Sequence, residues 1–282
     1  MTKCVTIIGV DDLFDVGTGK GYFDAAANIG ILRRVADKCY LPTNALLLDL
    51  IQRSGGNFRL ALSLSGVLLE QLEHHAPDAL DSFRRLVDTG AVELLGETYF
   101  HSLASLADLA EFERQVEMHR QVLFRLFGRR PEVFRNTELI YWDELAPTIA
   151  KLGFRGVLAE GADRVMDWRS PNYVYSAATA PNLRVIPRNY SLSDDVGFRF
   201  SRRDWDGWPV TAPKYANWVA VSPGESVHLF LDYETFGEHQ WSTTGILDFL
   251  AHLPGECAQR GIGFVHPSTL ARRPPVGPIH FD

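Results

Sequence analysis

Two carboxylate residues, Glu138 and Asp232, each follow a short run of residues typical of a β-strand, at 132–135 and 227–231. If both runs belong to one parallel barrel, the two side chains lie at the same mouth, formed by the carboxyl ends of the strands. Two carboxylates across a cleft can cleave a glycosidic bond, because one attacks or stabilises the anomeric carbon while the other protonates the leaving oxygen. The simpler alternative is that each carboxylate caps a helix or pairs with an arginine such as Arg135.

A third segment of the same kind, VELLGETYFHSL, places polar side chains after a run that ends near Leu95. It adds Glu97, Tyr99 and His101 to the predicted mouth. Sugars are bound by aromatic faces and by a few polar groups that fix their orientation. The mouth is therefore suited to a carbohydrate, although some of its aromatic residues can equally belong to the core. These aromatic candidates are Tyr99, Tyr141, Trp142, Tyr233, Phe236 and Trp241.

Short β-type runs alternate with amphipathic helical patterns along most of the chain. This alternation predicts an α/β fold with parallel strands, and seven runs favour a closed or nearly closed barrel over an open doubly wound sheet. Residues 168–222 break the alternation, and we interpret them as an irregular, substrate-binding insertion before the sixth strand of a single barrel domain over residues 1–282. The seven runs are 5–10, 59–64, 91–95, 132–135, 155–158, 227–231 and 262–265.

The composition excludes several classes of function. A formal charge of −7 provides no basic field for a nucleic acid or an anionic membrane surface. Three widely spaced cysteines form neither a zinc motif nor a disulfide framework, which favours a reducing cytoplasm. No apolar run approaches the roughly 20 residues of a membrane span. The glycines in DVGTGKG, which are Gly17, Gly19 and Gly21, lack the spacing of a phosphate-binding loop.

Three segments resemble conserved regions of glycoside hydrolase family 57, in its α-amylase-like branch. VELLGETYFHSL, FRNTELIYWDELAPTIAKLGFRGVLAEG and LFLDYETFGEHQW are similar to its second, third and fourth regions. The resemblance implies an incomplete (β/α)7 barrel, with seven strand–helix units, that hydrolyses or transfers α-glucans or maltooligosaccharides with retention and without a cofactor. It makes Glu138 the nucleophile and Asp232 the acid/base. It also implies sugar-contacting or supporting roles for Glu97, Tyr99, His101, Glu234 and His239, to which we add the aromatic candidates Tyr141, Tyr233 and Trp241.

The chain departs from the family pattern in two places. The family's first region is a His-Gln-Pro stretch at the tip of the first strand, where this sequence has Asp11 and Asp12. The family also continues beyond the barrel into a helical domain with a fifth region, whereas this sequence stops at PPVGPIHFD. We therefore expect weak or absent activity for this chain.

Two other classes of function remain open. Related barrels place an Asp-Asp pair at the tip of the first strand to hold a metal ion, so Asp11, Asp12 and His101 could form the site of a metal-dependent polysaccharide deacetylase. Two solvated aspartates at a loop are the simpler interpretation of that pair. The third class is a glucan-binding barrel that has lost turnover.

Overall fold

The computed structural model describes residues 3–11 and 25–281, with side chains described from residue 26 onward. The first strand, Lys3–Asp11, is therefore described by its backbone. Asp12 and the glycines of the DVGTGKG segment, which are Gly17, Gly19 and Gly21, lie outside the described residues.

Ten strands are described, and every run predicted from the sequence coincides with one of them to within two residues at either end, the usual uncertainty of element boundaries. In chain order they are β1 (Lys3–Asp11), β2 (Leu60–Leu64), β3 (Val92–Leu94), β4 (Val133–Arg135), β5 (Gly156–Ala159), β6 (Tyr175–Ala177), β7 (Arg184–Pro187), β8 (Ser226–Asp232), β9 (Ile262–Phe264) and β10 (Pro278–Ile279).

Helices follow most strands of the described chain, and their ends show ordinary capping chemistry. The longest begins where the Asp108 side chain accepts hydrogen bonds from two backbone amides, and it ends at Gly128, which has a left-handed backbone with φ of 64°. The helices are α1 (Ala25–Val35), α2 (Leu41–Arg53), α3 (Gly66–His75), α4 (Pro77–Asp88), α5 (Ala104–Ala107), α6 (Leu109–Phe127), α7 (Ala146–Lys151), α8 (Asp163–Met166), α9 (Tyr190–Gly197), α10 (Ala212–Val221), α11 (Ile246–Gln259) and α12 (Pro267–Ala271).

The strands form two five-stranded sheets. The first has the order β3-β2-β1-β8, with β9 also pairing β1, and the second has the order β10-β6-β7-β5-β4. Among the described strands, β6 and β7 form the one antiparallel pair. Parallel strands joined by helices place the carboxyl ends of β4, β5, β7 and β8 at the same side of the molecule.

Two further contacts join the sheets into a barrel-like arrangement. A parallel bridge connects Gly96, just after β3, with Phe134 in β4. On the other side, the amide of Asn189, just after β7, donates to the carbonyl of His228 in β8 at 2.9 Å. Each junction continues the strand order of one sheet into the other.

The expectation of an irregular insertion over residues 168–222 is wrong. This stretch contains β6, β7, α9 and α10, and β7 pairs in parallel with β5. The strand was missed because RVIP is four residues long, begins with Arg and ends with Pro, so it carries little periodicity of its own. Its place next to β5 comes from tertiary pairing. β7, which the sequence did not predict, lies between β5 and β8 in the strand series.

Helices cover the outer faces of the sheets. The largest apolar cluster packs α1 to α4, α10 and α11 against the first sheet, and two smaller clusters fill the second sheet and the region between the sheets. Within the described chain, no helix has both the length and the apolar character needed to cross a bilayer.

Glu93 connects β3 to α12 and gives the fold a testable pH dependence. Its carboxyl accepts hydrogen bonds from the amide and the hydroxyl of Ser268, at 3.1 and 2.7 Å. Burial raises the pKa of Glu93 from 4.5 to about 7, against the lowering effect of these hydrogen bonds. A pKa that is higher in the folded state gives stability that is complete below the ordinary value and is lost as pH rises through about 7.

Replacing Glu93 with glutamine, which retains an acceptor for Ser268, should remove this dependence. Between about pH 5 and pH 8, we expect the unfolding free energy of the natural chain to fall by up to roughly 3 kcal/mol relative to Glu93→Gln. Urea unfolding at both pH values measures the difference. Equal pH dependence in the two proteins would show that the carboxyl is ionised throughout.

Candidate active site

Glu138 and Asp232 line the same cavity at the carboxyl ends of the strands. The cavity encloses about 200 Å³, less than the several hundred Å³ of most drug-sized pockets. It can therefore enclose a small part of a ligand while the remainder lies outside. Its lining consists of Arg135, Glu138, Leu139, Glu160, Arg188, Gly197, Phe198, Phe230, Leu231, Asp232 and Thr235.

Glu138 lies on a strained turn directly after β4. Its φ and ψ angles are 52° and 25°, and the next residue, Leu139, has φ of 57°. Left-handed backbone costs a residue with a Cβ atom roughly 1–2 kcal/mol, so two in succession must be held by their surroundings. Such strain is common at functional sites, where it places a side chain that an ordinary turn would direct elsewhere.

Hydrogen bonds from the loop after β3 hold the turn around Glu138 in place. The hydroxyl of Thr137 donates to the carbonyl of Ser102 at 2.8 Å and lies 3.1 Å from the hydroxyl of Thr98. The amide side chain of Asn136 donates to the hydroxyl of Ser105 at 3.0 Å and to the carbonyl of Ile140 at 2.9 Å. The turn is therefore fixed by two neighbouring segments at once, which offsets the cost of its strained backbone.

A buried cluster of charged residues lies beneath Glu138. Glu97 is 1% exposed, and its carboxylate accepts a hydrogen bond from Ser63 at 2.9 Å. Burial by itself would raise the pKa of Glu97, but the contact with His101 and the nearby charge of Arg135, 3.8 Å away, outweigh burial and lower that pKa. An ionised Glu97 and Arg135 therefore form a buried ion pair, in which Ser63 donates to the carboxylate and the guanidinium contacts His101.

His119 contributes to the same cluster as a neutral ring. Its Nδ1 atom accepts from the amide of Glu97 at 3.3 Å, so its proton is on Nε2, which lies 2.8 Å from the carbonyl of Leu64. Complete burial lowers the pKa of His119, which agrees with the neutral form.

His101 connects this cluster to Glu138. Its Nδ1 atom lies 3.1 Å from Nη1 of Arg135, which can only donate a hydrogen bond, and its Nε2 atom lies 3.3 Å from Oε1 of Glu138. Nδ1 also lies 3.4 Å from Oε2 of Glu97, so the tautomer decides the contacts: a proton on Nδ1 is donated to Glu97, whereas an Nδ1 that accepts from the guanidinium leaves the proton on Nε2, facing the Glu138 carboxylate. His101 itself has φ of 49°, so it is another strained residue at this mouth.

Asp232 is the last residue of β8 and is exposed at the cavity, while the segment that follows it is anchored to helices. Tyr40 donates to Glu234 at 2.9 Å, and the hydroxyl of Thr43 donates to the carbonyl of Phe236 at 2.9 Å. Gly237 has φ of 131°, and a Cβ atom there would lie 2.1 Å from a backbone oxygen of the segment between α1 and α2. The strand end is thereby fixed relative to these helices.

Several of the predicted sugar-contacting residues are buried outside the cavity lining. The Tyr99 hydroxyl donates to Glu70 in α3, and that of Tyr233 donates to Asn44 in α2. Tyr141 packs its ring edge-on to Phe281 in the second sheet's apolar cluster, with 4.9 Å between ring centroids. The buried candidates placed in this way are Tyr99, Tyr141, Tyr233, Glu234 and Phe236.

Two predicted residues remain exposed after the β8 strand. His239 is exposed, and Trp241 is 62% exposed with the ammonium of Lys38 5.6 Å from the centre of its ring. The same segment contacts α9, because the Gln240 side chain donates to the carbonyl of Gly197 at 3.1 Å. Gly197 lines the cavity, so Gln240 lies near the cavity edge, and His239 and Trp241 are its direct neighbours in the chain.

The proposed metal ligands are only partly within the described chain. Asp11 ends β1, where Val10 pairs in register with Asp232, so its backbone lies at the same mouth; Asp12 lies outside the described residues. Among residues 26–281, no three His, Cys, Asp or Glu side chains are close enough to hold a metal ion.

Among the charged residues of the cavity lining, sequence reasoning missed two and considered a third only as a structural partner. Glu160 directly follows β5, in the same relation that singled out Glu138 and Asp232, and could have been found by that rule. Arg188 follows β7, which was not predicted, so no sequence signal pointed to it. Arg135 was considered only as a structural partner, but it contacts His101 and lines the cavity.

Comparison with known proteins gives close relatives for the sequence and more distant ones for the fold. Over 239 residues the chain is 48% identical to a putative alpha-amylase from Methanocaldococcus jannaschii, covering 84% of this chain and 50% of the relative. The chain thus spans about half the length of that curated relative.

Two solved structures share the fold. The 4-alpha-glucanotransferase from Thermococcus litoralis matches with a TM-score of 0.77 and 17% identity, over 100% of this chain and 42% of that one. A putative polysaccharide deacetylase from Mycobacterium smegmatis matches with a TM-score of 0.59 and 17% identity, over 96% of this chain and 90% of that one. Because proteins of two different classes share this fold, the fold alone does not decide the function.

The sequence model of Glycosyl hydrolase family 57 matches residues 9–278. This range includes both candidate carboxylates and every strand except the beginning of β1 and the last residue of β10. The chain belongs to glycosyl hydrolase family 57.

Proposed function

We propose that this chain is a retaining glycoside hydrolase or transglycosylase that acts on α-glucans or maltooligosaccharides. The observation that carries the proposal is that Glu138 and Asp232, 94 positions apart in the sequence, line one cavity. Membership of a glycosyl hydrolase family supports it, as does the alpha-amylase name of the curated relative. Because these comparisons cover about half of the relatives' length, the substrate is part of the proposal.

The proposed architecture is an incomplete (β/α)7 barrel in a single domain. In this proposal seven parallel strands follow one another in the order β1, β2, β3, β4, β5, β7 and β8, with β8 pairing β1. Here β7 takes the place of the predicted run at 262–265, which is β9 and pairs with residues 3–5 of β1. The Gly96–Phe134 bridge and the Asn189–His228 hydrogen bond would make the two junctions, where the pairing is too short to form a continuous sheet. In this arrangement the carboxylates face one another across the mouth.

The proposed reaction is a double displacement. The carboxylate of Glu138 attacks the anomeric carbon, and the carboxylic acid of Asp232 donates its proton to the departing glycosidic oxygen. The resulting glycosyl ester is then cleaved by water or by a sugar hydroxyl, whose proton passes to the Asp232 carboxylate. Retention of this kind requires the two carboxyl groups to be about 5–5.5 Å apart, and it needs no cofactor.

His101 would orient the nucleophile. A proton on Nε2, facing Glu138, stabilises the ionised carboxylate and restricts its rotation. In this tautomer Arg135 donates to the ring from its other side, so that the strained turn and the histidine together preorganise Glu138 for attack.

The other predicted site residues divide by exposure. We propose that His239 and Trp241, both exposed, contact sugar units outside the cavity. Glu97 and Glu234 would support the loops that carry the carboxylates. The buried Tyr99, Tyr141 and Tyr233 would do the same, since their rings and hydroxyls are engaged in packing and hydrogen bonds.

The proposal is tested by incubating the purified chain with maltoheptaose and analysing the products. We expect shorter maltooligosaccharides with new reducing ends, together with longer chains if transfer competes with hydrolysis. Turnover should be lower than that of relatives with the family's histidine in the first region, because Asp11 and Asp12 stand there instead.

The alternatives give different results in the same assay. Release of acetate from an acetylated polysaccharide, stimulated by a divalent metal and without change in maltoheptaose, would identify a deacetylase. Binding of maltoheptaose measured by calorimetry, with no products after prolonged incubation, would identify a glucan-binding barrel without turnover.

A further inference from the structure

Glu160 and Arg188 form an ion pair on the wall of the cavity that contains the candidate catalytic carboxylates. Glu160 follows β5 and Arg188 follows β7, and the carboxyl ends of these two strands are direct neighbours. Ala159 pairs with Pro187, and the amide of Arg188 donates to the carbonyl of Ala159 at 2.8 Å. Along the strand order β4, β5, β7, β8, the ion pair lies between Glu138 and Asp232. Any sugar that reaches both carboxylates must therefore lie against this wall.

The Arg188 side chain is held rigidly. Its Nε atom donates to the carbonyl of Phe230 at 3.0 Å, its Nη1 atom to Glu160 at 3.2 Å and its Nη2 atom to Asp194 at 2.6 Å. The backbones of the two loops also touch, since a Cβ atom on Gly161 would lie 2.0 Å from the Arg188 carbonyl oxygen. A guanidinium fixed in this way loses little conformational entropy when it binds a further group.

The pair retains hydrogen-bonding capacity on both members. Within the described residues, Arg188 uses three of its five N–H groups in the contacts above. Each carboxylate oxygen of Glu160 accepts one hydrogen bond, Oε1 from the amide of Gly161 at 3.0 Å and Oε2 from Arg188. Donors and acceptors that remain side by side match two neighbouring hydroxyls of a sugar, because each hydroxyl both donates and accepts.

The exposure of the pair fits a binding role. The Glu160 side chain is 39% exposed and that of Arg188 14% exposed, so both can be reached from the cavity. Burial raises the pKa of Glu160, against the lowering effect of Arg188, so further hydrogen-bond donors would favour its ionised form. The hydroxyls of a ligand would supply such donors.

The charge of the cavity wall indicates which sugars can bind. The described lining contains two arginines and three carboxylates, which are Glu138, Glu160 and Asp232. A negative excess disfavours uronic acids and sugar phosphates. Phe198, 68% exposed in the same lining, offers an apolar face to the ring of a neutral sugar.

We propose that Glu160 and Arg188 form a hydroxyl-recognition site for one neutral hexopyranosyl unit and thereby select the sugar that reaches Glu138 and Asp232. This inference rests on the proposed function, and it assigns a binding role to Glu160 and Arg188, to which the sequence analysis gave no role. The ion pair with Asp194 positions the guanidinium for this role.

The test is calorimetric titration with maltoheptaose in a Glu138→Gln background, in which turnover is stopped. Adding Glu160→Ala should weaken binding about tenfold, the effect of losing one or two hydrogen bonds to a charged group. Glu256→Ala is the matched control, because Glu256 forms a similarly exposed ion pair with Arg260 at 2.6 Å on α11. The control should bind maltoheptaose within twofold of the background protein.

A second variant covers the possibility that Glu160→Ala does not fold. Glu160→Gln retains an acceptor for Arg188 and should weaken binding by a smaller factor, about threefold, with little change in Tm. Unchanged affinity in both Glu160 variants, with Tm lowered as in Glu256→Ala, would overturn the proposal and leave the pair a purely structural one. If the Glu138→Gln protein itself does not bind maltoheptaose, the proposed α-glucan function fails, and this inference with it. If the Glu138→Gln protein does bind maltoheptaose, the ratio of each variant's dissociation constant to that of the Glu138→Gln protein tests the role of the ion pair separately from the proposed function.

Discussion

Glutamine in place of Glu138 is expected to reduce the turnover of maltoheptaose by roughly 10⁴-fold or more, as removal of a nucleophile does in other covalent mechanisms. The amide is close to the carboxylate in size and can still accept a hydrogen bond from His101, but it cannot attack the anomeric carbon. Binding of maltoheptaose should therefore remain within a few-fold of the natural chain. Initial rates of reducing-end release and calorimetry measure the two quantities.

A matched control for this variant is available six positions further along the chain. Glu144 is exposed, follows the same strand and lies outside the cavity lining, so Glu144→Gln changes the charge of the same loop region without touching the proposed site. We expect it to retain the natural rate within about twofold. A Glu138→Gln protein with more than a tenth of the natural rate would contradict the assignment of the nucleophile.

Asparagine in place of Asp232 is expected to reduce the turnover of maltoheptaose by about 10² to 10⁴-fold, the usual contribution of a positioned acid or base. The side chain can no longer donate a proton to the leaving oxygen. The first step should be affected much less with α-glucosyl fluoride, since fluoride leaves without protonation. Burst kinetics with the two substrates separate this step from the later cleavage of the glycosyl ester.

The comparison between substrates distinguishes acid catalysis from general damage. A distorted β8 strand would slow the first step with both substrates equally, because it would displace the entire cavity wall that includes Phe230 and Leu231. An equal loss in the first-step rate on maltoheptaose and on the fluoride would therefore contradict the acid role of Asp232.

The shared location of Glu138 and Asp232 at one mouth could be predicted from the sequence because it depends on local features of the chain. Both carboxylates stand just beyond a strand-like run, and parallel strands bring such positions to one face whatever the intervening sequence does. The resemblance to glycoside hydrolase family 57 supplied the roles. The family is confirmed by the match over residues 9–278, whereas the roles of Glu138 and Asp232 remain predictions.

The remaining parts of the site depend on partners that are distant in the sequence. Tyr233 follows Asp232 directly and looked like a sugar platform, but its hydroxyl binds Asn44, 189 positions away. The left-handed backbone of Glu138 depends on hydrogen bonds from the loop around Ser102. No local sequence pattern predicts either arrangement, because the residue types involved are common and their partners are distant in the sequence.

Arg188, which forms the cavity wall together with Glu160, was missed because the strand before it, β7, was not predicted from the sequence. RVIP pairs with β5 because the neighbouring strand supplies its hydrogen-bond partners, although its own sequence has weak β character. Once β7 is recognised, Arg188 falls at the mouth by the same rule that located the two carboxylates. The distinction between core and site aromatic residues similarly requires knowledge of which helix packs on which loop.

The most direct test of the proposed mechanism is to trap the covalent intermediate. A fluorinated α-glucosyl fluoride, which forms the glycosyl ester faster than the ester is cleaved, would be incubated briefly with the chain before proteolysis and peptide mass analysis. The account predicts one added sugar residue, located on Glu138, and none in Glu138→Gln. Release of product with inverted configuration, or a stable sugar adduct on Asp232, Glu160 or another residue, would contradict it.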